Sequence, residues 1–233
     1  MSLRAKVIAS LALATSAFLV VPAAAQAATH PVQVTGAKLK TALLPASAFG
    51  SGFKLEGAEG TGKSLLHQKA TKHISTMSCV NFEGLGLFGY GESGAAGSVI
   101  EDENPTGLSD LANVLYEQTV YQFPTTKAAT AFYNQAHAKY ASCKSFSETD
   151  SSGTTTITLK SIGKAKVSSY RAFGLTQGIT ESGSADSGIS LKLNTLVTVK
   201  GADVFVFINA GTGGHTVPAK TMLKLISRVA ALR

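Results

Sequence analysis

The chain has 233 residues, 44% hydrophobic and 15% charged, with a formal net charge of +7 at pH 7. That length buries one proper core as a single domain. The positive surplus comes with no Lys/Arg run and no aromatic-basic module, which argues against nucleic acid as a partner and leaves solubility or contact with anionic wall polymer and lipid head groups.

The first residues carry an address. Arg4 and Lys6 precede an uncharged run from Val7 to Val21, Pro22 breaks it, and Ala25-Gln26-Ala27 matches the small-x-small pattern of a cleavage site. Residues 1–27 therefore read as a secretory signal peptide, too short in its apolar run to span a bilayer comfortably. No cysteine follows the run, and no later segment approaches 18 uncharged apolar residues. The expectation is a secreted, extracellular chain with no stable membrane insertion after cleavage. Its charge is about +5 once Arg4 and Lys6 are removed.

Residues 28–36 read as an extended leader, and 37–233 as one domain. Lys38 to Leu44 suits two helical turns stopped by Pro45. Ala46 to Lys54, with Gly50 and Gly52, is a turn-rich connector into a short alternating run, Phe53 to Glu56. Lys63 to Lys72 is ambiguous, and Ser75 to Glu83 suits a short helix carrying Cys79, with Ser75 as its N-cap. The glycine-rich stretch from Gly84 to Gly97 is a loop or a sharply turning strand, able to serve as a binding loop or a plain connector. Strands are expected over Ala96 to Glu101 and Leu111 to Phe123. After Pro124, the residues Ala129, Phe132, Tyr133, Ala136, Tyr140 and Cys143 recur at three- and four-residue spacing, which makes one apolar helical stripe.

The remainder reads as strands over Thr154 to Ile162, Lys166 to Leu175, Ile189 to Lys200 and Ala202 to Ala210, with a tight turn at Lys200-Gly201-Ala202-Asp203. A last helix follows, capped by Thr216 with Pro218 in its first turn. Its apolar face is Met222, Leu223, Ile226, Val229 and Ala230, while Lys220, Lys224 and Arg228 form a solvated basic face. The fold class is α+β: a twisted, mainly antiparallel sheet with two or three helices packed on one face.

Cys79 and Cys143 are the two cysteines. An even count in an exported chain argues for a disulfide, one that restricts the unfolded ensemble by roughly 4 kcal/mol in the chain-entropy model.

No catalytic constellation emerges. Gly57-Ala58-Glu59-Gly60-Thr61-Gly62-Lys63-Ser64 matches the P-loop pattern letter for letter. The residues before it are too short and polar for a buried parallel strand, however, and no apolar run ending in Asp follows. Glu101-Asp102-Glu103-Asn104 has the oxygens for a hard cation but fits no EF-hand spacing. His30, His67, His73, His137 and His215 show no metal-ligand spacing. Gly91-Glu92-Ser93-Gly94-Ala95 misses the last position of a nucleophile elbow. No catalytic residue, cofactor or metal is expected.

The chain resembles the PknH-like extracellular sensor-domain family of actinobacteria. Ala42-Leu43-Leu44-Pro45-Ala46-Ser47-Ala48-Phe49-Gly50, Ser78-Cys79, Tyr121-Gln122-Phe123-Pro124, the helix from Ala128 to Tyr140 and its ending Ala141-Ser142-Cys143-Lys144 carry the resemblance. Their order and spacing span most of residues 37–232. The family's reference member is the outer domain of a membrane serine/threonine kinase, with a twisted antiparallel sheet, a cleft proposed to take a ligand and two disulfides, where this chain can make one. The resemblance implies a secreted, non-enzymatic, sensor-like domain acting at the cell envelope, with a small-molecule or cell-wall ligand and a signal relayed by another chain. It carries over no ligand-contacting residue. The alternatives are an exported enzyme, its site in the Gly84 to Gly97 loop for instance, and a wall-associated structural protein.

Overall fold

The computed structural model of the chain describes residues 32–60, 78–79, 95–102, 115–149, 153–182, 190–212 and 218–233. The expected signal peptide and the ambiguous stretch from Lys63 to Lys72 lie outside them. Of the expected helix around Cys79, only Ser78 and Cys79 are described.

The strands are β1 (Phe53–Gly60), β2 (Ala95–Asp102), β3 (Leu115–Gln122), β4 (Ser145–Thr149), β5 (Thr154–Val167), β6 (Tyr170–Ser182), β7 (Ser190–Lys200) and β8 (Asp203–Gly211). They make one sheet in the order β1-β2-β3-β8-β7-β6-β5-β4, antiparallel at every pairing. It consists of two meanders laid side by side and joined where β3 meets β8. The helices are α1 (Gly36–Lys40), α2 (Thr126–Ser142) and α3 (Ala219–Ala230), with a short 3-10 turn at Ala46–Ala48. α2 follows β3 in the middle of the sheet and leads to β4 at its far edge.

The expected α+β architecture is present, with one correction: the helices cover both faces rather than one. Successive side chains of a strand point to opposite faces, and β8 shows where they go. Phe205 and Phe207 join Val120, Leu196, Ala172 and the α3 residues Met222, Leu225, Ile226 and Val229, with Leu39 of α1. Val204 joins Tyr121, Phe173, Val197 and the α2 residues Ala129, Phe132 and Tyr133. The central strands are thus buried on both sides, which is why β8 reads as a continuous hydrophobic run.

Local differences from the expected elements have local causes. α1 is shorter than the sequence suggested. Thr35 caps it, its Oγ1 accepting from the Lys38 N–H at 3.2 Å, and the chain leaves the helix at Thr41. The break expected between Ile162 and Lys166 is absent, because Gly163 sits inside a long strand opposite Gly174. The turn falls at Ser168 and Ser169, and Ser168 takes the left-handed φ of 54° itself. By contrast, Gly201 supplies the expected positive φ, 58°, between β7 and β8. α3 starts later than expected, with Pro218 as its N-cap and no side-chain cap bond. Its buried face includes Leu225, which the sequence reading passed over, while Ala230 is exposed.

Two buried glutamines hold the segment before β1 to the sheet. Gln118 accepts from the Leu44 N–H at 2.9 Å and donates to the Leu44 carbonyl at 2.7 Å. Gln122, two pleat repeats further along the same face, does the same for Val34 at 3.0 and 2.7 Å. Each side-chain amide replaces a strand partner that the segment lacks. Arg233 completes the cluster: its guanidinium grips both Asp203 carboxylate oxygens at 2.7 Å and donates to Gln122 Oε1 at 2.9 Å.

Gln118→Leu removes both partners of the buried Leu44 peptide group, and each orphaned group costs about 1–3 kcal/mol. The expected loss of unfolding free energy in urea is therefore roughly 2–6 kcal/mol. An unchanged midpoint would show that the clip contributes nothing.

Candidate functional site

α2 is pinned to the sheet by rings. Phe132 packs against Tyr121 and Phe123, with centroids 5.5 and 5.0 Å away. Phe173 of β6 meets Tyr133 at 5.1 Å, the His137 ring edge-on at 4.9 Å and Tyr140 at 6.2 Å. These three residues lie four and three apart on one helical face, so a single β6 side chain fixes the helix over two turns. At the C-terminal end of α2, Cys143 is bridged to Cys79, as the sequence led one to expect.

Beside this contact, α2 and the β5–β6 hairpin leave a cleft of about 490 Å³, within the 300–1,000 Å³ common for small-molecule sites. Tyr133, Asn134 and His137 line it from the helix, and Lys164, Tyr170, Arg171 and Phe173 from the hairpin. The Arg171 guanidinium lies 5.2 Å over the Tyr133 ring, and its Nη2 donates to Asn134 Oδ1 at 2.9 Å. The stack and the hydrogen bond hold the planar fork in one orientation, its other N–H groups finding no acceptor among the described residues. Lys164 stands opposite Phe173 in the strand register and Lys166 opposite Arg171. Lys200, at the end of β7, places its ammonium 5.3 Å over the Tyr170 ring. Among the described residues, no carboxylate lines the cleft. Its equipment is cationic donors and ring faces.

The other residues singled out from the sequence are dispersed. Gly57 to Gly60 lie in β1, antiparallel to β2 at the sheet edge with a register irregularity after Leu55, which is not the turn a phosphate-cradling loop needs. Thr61 to Ser64 lie outside the described residues. Glu101 and Asp102 end β2, while Glu103, Asn104, His30, His67, His73, His215 and the stretch from Gly84 to Gly94 also fall outside. No group of three His, Cys, Asp or Glu able to hold a metal occurs among the described residues. None of their helices is long and apolar enough to cross a membrane. On the basic stripe of α3, Arg228 is structural: its Nε donates to the Ala42 carbonyl at 2.7 Å and its Nη2 to the Thr41 carbonyl at 3.0 Å. Lys220 and Lys224 remain exposed.

Sequence reasoning missed Arg171, Lys164 and Tyr170. The clearest hint was the clustering of Lys164, Lys166, Tyr170 and Arg171 around a turn, but the turn was expected elsewhere.

A family model described as the PknH-like extracellular domain matches residues 34–219. No curated protein sequence matches the chain. Among solved structures, the extracellular domain of PknH from Mycobacterium tuberculosis aligns with a TM-score of 0.53 at 16% identity, over 86% of this chain and 98% of that one. At that identity the likeness is one of fold.

Glu117 of β3 is the strongly displaced titratable group, burial pushing its carboxyl up to about 7. Burial also raises Asp203 against the pull of Arg233. Unfolded, Glu117 releases its proton near its ordinary value of 4.5, so between there and about pH 7 the unfolded chain binds fewer protons and stability falls as pH rises. A rise from 4.5 to about 7 corresponds to roughly 3 kcal/mol. Thermal unfolding followed from pH 4.5 to 7 is expected to show this decline, and Glu117→Gln to flatten it down to the smaller Asp203 contribution at the acid end. A variant as pH-sensitive as the wild type would contradict the assignment.

Proposed function

The chain belongs to the PknH-like extracellular domain family, and on that premise we propose that it is a secreted, non-enzymatic, sensor-type domain that binds a small anionic ligand at the cell envelope. The cleft between α2 and the β5–β6 hairpin carries this reading. It combines a stacked, hydrogen-bonded Arg171 with Lys164 and the rings of Tyr133, Tyr170 and Phe173.

A guanidinium fork held in place suits the two oxygens of a carboxylate or phosphate. The rings beside it suit a flat or apolar body attached to that group. With no counter-charge on the walls, the cations lower the energy of an incoming anion, and the fork gives up little freedom when it binds. The same groups fit holding better than turnover: a fixed cation and ring faces select a ligand, and the His137 imidazole on the same wall packs edge-on against Phe173. The leader over residues 1–27 supports an extracellular location, where the Cys79–Cys143 bridge persists. From there the signal passes to another chain, by contact or by a change in what the domain occupies.

Native mass spectrometry of the protein purified from its own culture medium tests this. A co-purifying anion is expected, lost in Arg171→Gln, with affinity reduced roughly ten- to hundredfold because a charge-assisted hydrogen bond contributes about 1.5–3 kcal/mol. Recovery of a chemically altered product would favour the exported enzyme instead. Retention on wall polymer that Arg171→Gln leaves intact would favour the structural wall protein.

A further inference from the structure

Beside the cleft, the two strands of the β5–β6 hairpin set like charges against each other. In the strand register Lys164 pairs with Phe173 and Lys166 with Arg171, and side chains paired in this way project from the same side of a sheet. That side is the one α2 covers, since Phe173 packs against Tyr133 and Arg171 stacks on the same ring. Three cations therefore share one face at the end of the hairpin. Lys166 and Arg171 are direct cross-strand partners with β-carbons about 5 Å apart, and Lys164 lies one pleat repeat, about 7 Å, from Lys166. All three are exposed.

Like charges set directly opposite each other destabilise a sheet, so this trio calls for a reason. Lysines along an unpaired strand edge keep it from pairing with other sheets, and β5 has such an edge, because β4 pairs with it only over Thr154 to Thr158. Edge protection accounts for Lys164 and Lys166. It does not account for Arg171, which lies on β6, a strand paired on both sides, and is held in place by Tyr133 and Asn134. Nor does an acid nearby in the chain balance the three. Residues 126–144 and 160–180, which supply α2 and the end of the hairpin, contain no Asp or Glu. An anchored fork on an interior strand, with two ammonium groups beside it, is an arrangement that a multiply charged anion stabilises.

Resting on the reading of the cleft as an anion site, we propose that its ligand is a phosphate monoester, bound as the dianion. The Arg171 fork takes two of the phosphate oxygens, and Lys164 and Lys166 flank it as point charges that favour the second negative charge. A carboxylate is satisfied by the fork alone. A terminal phosphate carries close to two charges at neutral pH and offers three acceptor oxygens, which gives each of the three cations something to hold. Lys164 lines the cleft, and Lys166 stands beside it, opposite Arg171. A volume of about 490 Å³ suits a whole small molecule rather than a bare phosphate, so the esterified body has room next to Tyr170.

Isothermal titration calorimetry at pH 8 and constant ionic strength, with phenyl phosphate, phenyl sulfate and benzoate, separates charge from shape. Phenyl phosphate is doubly charged there, since its second ionisation lies near pH 6. Phenyl sulfate has the same tetrahedral head with one charge, and benzoate has the planar carboxylate. Phenyl phosphate is expected to bind about tenfold more tightly than either, a preference that two exposed charge pairs can supply. The double variant Lys164→Gln, Lys166→Gln is expected to lose most of that preference, and its retained binding of phenyl sulfate shows that fold and fork are intact. Arg171→Gln is expected to weaken all three ligands. Inorganic phosphate binding more weakly than phenyl phosphate marks the ester, and equal binding of the two overturns it in favour of the free anion. If the three ligands bind alike, or if the lysine double variant keeps the whole preference, the phosphate assignment is overturned while the cleft remains an anion site. If none of them binds the wild type, the anion site falls with it.

Discussion

The central strands of this sheet are buried on both faces, and most of what the molecule does follows from that constraint. A strand covered on both sides must be apolar on both sides or must satisfy every polar group it brings inside. β8 takes the first course, with Val204, Phe205 and Phe207 all buried. β3 takes the second at its two glutamines, while its buried Thr119 Oγ1 finds no partner among the described residues. Gln118 and Gln122 are fully buried, yet each bonds both to an N–H and to a carbonyl of the segment that lies across them. That segment brings α1 over the sheet and places Leu39, Leu43 and Leu44 in the core. Polar residues in a buried strand are here the means by which the chain's early residues find their place.

The same constraint explains why openings gather along the β5–β6 hairpin. β4 pairs with β5 only over Thr154 to Thr158, so the rest of β5 runs past its outer neighbour. α2 lies on one face of this region and α3 on the other. Helices are cylinders set against a twisted surface, and they part from it where the hairpin extends past them. The openings are therefore products of packing, and their chemistry comes from what the hairpin carries: Lys164, Lys166 and Arg171 within one turn of chain. Phe173 links the two levels, since it anchors α2 and its neighbour Arg171 stacks on a residue of that same helix.

How much of this was legible in the sequence depended on how each element is stabilised. α2 and α3 announced themselves through apolar stripes, and β8 through a run of large β-branched and aromatic residues, because burial makes these elements. β4 escaped notice because burial does not make it. Its residues are Ser-Phe-Ser-Glu-Thr, mostly exposed, and it is held by a ladder of hydroxyl pairs: Ser145 with Thr158, Ser147 with Thr156 and Thr149 with Thr154, at 3.3, 2.7 and 2.9 Å. Such cross-strand pairs stabilise a sheet without leaving a hydrophobic pattern to read. The turn at Ser168 was hidden for a related reason, since a glycine five residues earlier looked the better breaker and only pairing with β6 decides between them. The cleft was illegible because its parts come from a helix and a hairpin about 30 residues apart, and a stacked guanidinium has no local spacing. The letter-perfect P-loop shows the converse: its first four residues, Gly57 to Gly60, end up in an edge strand, without the turn that gives the pattern its meaning.

These contrasts bear on what family membership conveys. At 16% identity over nearly the whole of the PknH extracellular domain, the alternation of buried and exposed positions, the crossing helix and the two-sided core are what the fold requires, and many residues meet those requirements equally well. A cleft wall is under no such requirement. Replacing Arg171 or Lys164 with another polar residue would leave the core intact, because both side chains are exposed and neither is part of the packed clusters. The architecture is thus shared, while the fold places no requirement on the charge of the cleft. On the function proposed above, the nature of the ligand therefore has to be argued from the guanidinium, ammonium and ring faces that this particular hairpin presents.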